Sequence, residues 1–184
     1  MLFIALVLSL AAVPPPRTAS ADTVDACALL TNAEIERISG ASIVGRTPTR
    51  EPAGGLLMSQ CFFGSSSSRS VSLAVAGDAA GRAPLTAREY WRRQFHPRER
   101  RAEREGEHES ERESEPRAIG GVGDEAYWAG NRIAGALYVL RGNTFLRISI
   151  GGIRDEAERI EKSKALALVA LERLAKSKPF PKRG

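Results

Sequence analysis

Few side chains in this 184-residue chain are of types that do chemistry, and their spacing narrows what they could do. Cys27 and Cys61 are too far apart for a C-x-x-C redox pair. His96 and His108 are the only histidines, and both sit in or beside a charged stretch where a solvated role is expected. His108-Glu109 has no second histidine at metalloprotease spacing, so no zinc ligand set is expected. Gly64-Ser65-Ser66-Ser67-Ser68 lacks the sharp G-x-S-x-G turn that exposes a nucleophilic serine. Gly121-Val122-Gly123-Asp124-Glu125-Ala126 fits G-x-G-x-x-A in form only. A dinucleotide site needs a strand before the glycines and a helix opening within them, and here an aromatic strand pattern follows. Glu34, Glu36, Asp124 and Glu125 are the acids nearest ordered elements, and nothing local pairs two of them for general acid/base work. No catalytic residue, metal or cofactor is therefore expected. Tyr127 and Trp128, with the Met58 segment beside them, are the candidate residues for binding a ligand or partner. Tyr90 and Trp91 form a second aromatic pair.

The apolar run from Leu2 to Val13 is too short to cross a bilayer and ends near Ala19-Ser20-Ala21, a small-residue cleavage pattern. Residues 1–21 thus read as a signal peptide, although no Lys or Arg precedes the apolar core. Outside the cytoplasm thiols oxidise, so Cys27 and Cys61 are expected to form one disulfide. The remaining 22–184 fit one domain, and no later segment reaches the ~20 apolar residues of a membrane-spanning helix. The net charge of +5 comes from 27 basic against 22 acidic residues. That excess is modest, and without clustered exposed aromatics nucleic-acid binding is not expected.

Thr31 with Glu34 and Thr86 with Glu89 each spell a capping box, so helices should begin there. Gly40 is placed to end the first in a left-handed conformation. Ser59 to Gly64 and Ser70 to Ala76 alternate as strands, whereas Ile43-Val44 starts only a short one and Arg46 to Met58 reads as a Pro- and Gly-bearing loop. Residues 98–115 are almost all Arg, Glu and Ser and read as a charged insert with little to bury. Ala134 to Leu140, Arg141-Gly142-Asn143 and Thr144 to Ile150 spell a hairpin. A last helix runs from about Asp155 to Ala175, with Ala157, Ile160, Leu168, Leu171 and Leu174 as its apolar stripe. The fold class is α+β: an antiparallel sheet packed against N-terminal and C-terminal helices. The paired capping boxes raise duplicated helix-plus-strands units as one option, and two unrelated helices as the other.

Asp25-Ala26-Cys27-Ala28-Leu29-Leu30-Thr31, then Glu34, Gly40, a cysteine in a strand and Gly123-Asp124-Glu125-Ala126-Tyr127, resemble a group of bacterial exported proteins. These are mostly actinobacterial envelope proteins, many lipid-anchored, with a Cys-x-Leu-Leu-Thr opening and a later Gly-Asp-Glu-Ala turn. The layout is similar to PsbP-like α/β sandwiches. The resemblance implies a location and a fold and no particular reaction. Two departures stand out: Val24-Asp25-Ala26 is not a lipobox, and the charged insert has no counterpart in the group. The expectation is a non-enzymatic exported envelope or periplasmic protein that binds a partner protein or small ligand. The alternative is a small secreted hydrolase whose acids are assembled by the fold.

Overall fold

The computed structural model describes residues 24–53, 55–78, 85–96 and 115–177. The expected signal peptide and almost all of the charged insert, His108 included, lie outside them.

Seven antiparallel strands form one sheet in the order β1-β2-β3-β7-β6-β5-β4. They span Ile43–Ala53 (β1), Leu56–Ser65 (β2), Ser70–Asp78 (β3), Arg117–Ala118 (β4), Glu125–Gly130 (β5), Gly135–Arg141 (β6) and Thr144–Gly151 (β7). The helices are α1 (Asn32–Ser39), α2 (Ala87–Phe95) and α3 (Glu156–Lys176), with a 3-10 turn at Ala26–Ala28. This is the expected α+β architecture. Two meanders, β1-β2-β3 and β4-β5-β6-β7, meet along β3 and β7, so the strand order mirrors itself about that seam. The helices break the mirror: Ile35 of α1 lies in the core on one face, and Trp91 of α2 in the core on the other. A two-fold axis normal to the sheet would keep both helices on one side.

Successive strand residues point to opposite faces, and the register sorts them cleanly. Cys61, Phe63, Leu73, Val75, Leu137, Leu146 and Ile148 face α1 and α3 in the larger core. Ala76, Leu140 and Phe145 face α2 in the smaller one. Both capping boxes are present, with Thr31 and Thr86 accepting from Glu34 N–H and Glu89 N–H at 3.3 and 3.1 Å. Gly40 closes α1 at φ +72°. Gly123, at φ +65°, brings the Gly-Asp-Glu-Ala turn so close to Val139 and the Leu140 carbonyl that a Cβ would collide with both.

Two expectations need correction. Arg46 to Met58 is not a loop: β1 runs to Ala53 and pairs with β2 through Pro48↔Cys61 and Pro52↔Leu57. Prolines are tolerated there because β1 is an edge strand, where a missing N–H disturbs no ladder. Those prolines, with Arg46, Arg50 and Glu51, also discourage further strands, and the opposite edge, β4, has only two residues. The buried stripe of α3 is Ile160, Leu166, Ala167, Ala170 and Leu171 together with the polar Arg159 and Ser163. Ala157 faces solvent and Leu168 is 48% exposed, so the stripe is rotated from the expected one.

The amino-terminal segment is fastened to this frame at several points. Cys27 is bonded to Cys61, which is fully buried on β2. Ala26 N–H donates to Ser59 Oγ at 3.1 Å. From α3, Arg173 donates to the Leu29 carbonyl at 2.7 Å and to both carboxylate oxygens of Glu34 at 2.7 and 3.0 Å. Glu34 thus caps its own helix and anchors α1 to α3, and the Arg173 hydrogen bonds hold its pKa down from 4.5 to about 2.

Two stability measurements follow. Reducing the disulfide, or replacing Cys61 with Ser, should cost about 3–4 kcal/mol in urea unfolding, the chain-entropy value for a loop closed across 34 positions. Because the folded-state pKa of Glu34 lies below its unfolded value, its contribution is complete above pH 4.5 and is lost as pH falls toward 2. With Arg173 36% exposed, solvent screening reduces that contribution to about 1–2 kcal/mol. Glu34→Gln should flatten the acid limb of the stability curve by that amount.

Candidate functional site

Titratable and aromatic groups gather where α2 ends against β5. Within α2, Trp91 and Phe95 are four residues apart and share a face, so their rings meet at 4.4 Å. From β5, Tyr127 stacks on Phe95 at 4.9 Å with the rings 4° from parallel, and Tyr138 of β6 tilts onto the same ring at 5.2 Å. Tyr90 stacks on Phe145 at 5.4 Å. This aromatic layer gives a nine-residue helix enough apolar contact to hold it on the sheet.

Glu125, the first residue of β5, lies beside this layer. Its Oε2 accepts the Trp91 indole N–H at 3.0 Å and lies 2.8 Å from Nε2 of His96, the C-cap of α2. The Trp91 hydrogen bond is the largest cause holding the Glu125 pKa below 4.5, with His96 and the charge of Arg88 adding to it. An ionised carboxylate only accepts, so the His96 nitrogen facing it carries a proton. Tyr127 is pushed up from 10.0, first by burial and then by the Glu125 charge. Its hydroxyl therefore stays protonated across the ordinary pH range. The adjacent Asp124 turns away, accepting the Gly142 N–H at 2.7 Å and lying 3.7 Å from Arg88.

A histidine oriented by a carboxylate can accept and return a proton. Among the described residues no group of three His, Cys, Asp or Glu side chains could hold a metal ion.

The structure divides the expected binding residues. Tyr127 and Met58 both pack against the α2 core, whereas Trp128 is 2% exposed on the opposite face of the sheet. The alternation of a strand forces this separation on any two neighbours. The acids disperse as well: Glu34 lies between α1 and α3, and Glu36 accepts from the Ser42 hydroxyl at 2.7 Å. The His96–Glu125 pair was not foreseen. Its partners are 29 positions apart and local spacing carries no signal, although a proline at position 97 in the sequence, a residue that rarely continues a helix, hints that His96 stands at a helix end. Comparison with protein-family models, curated proteins and solved structures finds no match to this chain.

A lowered carboxylate pKa stabilises above its unfolded value and is lost as pH falls through the folded one. Trp91 fluorescence should therefore change at a pH below 4.5, as Glu125 takes up a proton. Glu125→Gln should remove that transition. A wild-type titration curve identical to that of the Gln variant would show that the Trp91–Glu125 hydrogen bond does not form in solution.

Proposed function

We propose that this chain is an exported envelope or periplasmic protein that works by binding, taking a partner protein on the sheet face that α2 leaves open. The observation that carries this reading is the row Met58, Gln60 and Phe62 on one face of β2. Met58 packs under α2, Gln60 donates to Ser72 at 3.4 Å, and Phe62 is 44% exposed between Thr47 and Ser72. An antiparallel sheet with one solvated face ordinarily turns polar residues outward, and Thr47, Thr49 and Ser72 follow that rule. Phe62 does not. A rigid, flat face with an aromatic at its centre and a polar surround suits a protein partner, since small molecules are usually held in clefts. Export is supported by the disulfide, which persists in oxidising compartments. No helix among the described residues is long and apolar enough to cross a membrane.

The His96–Glu125 pair favours a second reading, a small secreted hydrolase in which His96 moves a proton. It differs from the binding reading in the residue whose loss abolishes function.

The test is capture of partners from envelope extract by the disulfide-bonded protein. Phe62→Ser should weaken capture roughly tenfold or more, as expected for an aromatic at the centre of an interface. Leu168→Ser, at a comparably exposed site on α3, should leave it intact. Capture that survives Phe62→Ser would remove the binding reading. Ester or peptide hydrolysis that disappears in His96→Ala would replace it with the second.

A further inference from the structure

On the opposite face of the sheet, the amino-terminal turns of α3 bury a charge without a counter-charge. Arg159 is 1% exposed, and its guanidinium lies over the Trp128 ring at 5.8 Å. One of its amino groups donates to the Asn131 carbonyl at 2.6 Å, which ties it to the turn between β5 and β6. No carboxylate pairs with it among the described residues. Its Nε–H has no hydrogen-bond partner there, nor has the indole N–H of Trp128 or the hydroxyl of Ser163. Ser163 is fully buried and stands one helical turn beyond Arg159 on the same face.

Burying an ion costs several kcal/mol unless it is paired, and buried donors normally find acceptors. Here two of the three orphaned groups can only donate, the Ser163 hydroxyl can donate as well, and the one charge is positive. The near-complete enclosure of Trp128, Arg159 and Ser163 excludes anything large from their neighbourhood. We propose that Arg159, Trp128 and Ser163 form a buried site for one small monovalent anion of the halide class. A water molecule would give the donors an acceptor and leave the guanidinium unneutralised, whereas a halide does both. The site stands on the far side of the sheet from the proposed docking face and does not depend on it.

The test is thermal unfolding of the disulfide-bonded protein in sodium chloride, sodium bromide and sodium gluconate at matched ionic strength. A ligand that binds only the folded state raises the midpoint with its concentration. Chloride and bromide should therefore raise it in a saturable way relative to gluconate, whose anion is too large to enter. Trp128→Phe keeps an aromatic ring at this position and deletes the pyrrole ring with its N–H, so it should weaken the apparent halide affinity about tenfold. Arg159→Met should abolish the halide increment. Because the Met variant could fail to fold, chloride-35 NMR on the wild-type protein gives an independent readout: line broadening that excess bromide relieves. Equal midpoints in all three salts with no broadening would mean that the donors hold ordered water only, and would overturn the proposal. So would a halide increment unchanged in Trp128→Phe and Arg159→Met.

Discussion

The bond between Cys27 and Cys61 is the constraint on which the arrangement of layers depends. It fixes the entry of the chain against the middle of β2, on the face that also receives α3. Ser59 and Arg173 reinforce the same placement by binding the backbone at Ala26 and Leu29. With α1 and α3 committed to one face, α2 is the only helix on the other among the described residues. At 1.5 Å per residue its nine residues extend about 13 Å, while seven strands at ~4.8 Å spacing are about 29 Å across. One helix of that size cannot roof the sheet. Among the described residues, two helices lie on one side and one on the other, and Phe62 of β2 is left 44% exposed on the latter.

Much of this fold was legible in the residues, because local rules and tertiary contacts agree. Thr31 with Glu34 and Thr86 with Glu89 mark both helix starts, and Gly40 marks a helix end. The Arg141-Gly142-Asn143 turn announces the β6–β7 hairpin. β1 was hidden by Pro48 and Pro52, which speak against a strand unless that strand lies at an edge, and edge position is a tertiary fact. In α3 the apolar stripe was assigned by residue type, which favoured Leu168 and passed over Arg159 and Ser163. Extending the spacing of Ile160, Ala167 and Leu171 backwards would have pointed inward at both polar residues. The candidate sites were the least legible part. His96–Glu125 and Arg159–Trp128 each join elements about 30 positions apart; the alternation of β5 puts Glu125 and Trp128 on opposite faces, and its register against β6 decides which face each takes.

That register also explains why two dissimilar polar clusters can share one short strand. On the α2 side, Glu125 is partly open to solvent, ionised and supplied with two donors, so its electrostatics are locally closed. On the α3 side, Arg159 is enclosed with donors left over. The sheet between them is filled by Val139, Leu137 and Leu146 and keeps the two environments separate. The mirrored strand order therefore carries no mirrored chemistry, since each half of the sheet is completed by a different helix.

The two edges of the sheet bear on how this molecule can associate. A strand studded with proline and charge at one end, and a two-residue strand at the other, offer no continuous backbone ladder to a neighbouring chain. Such edges, among the described residues, disfavour recognition by strand addition and the open-ended stacking that leads to fibres. What these edges leave available is contact through side chains on the faces of the sheet, a geometry that caps a complex at a limited size where strand pairing would extend it.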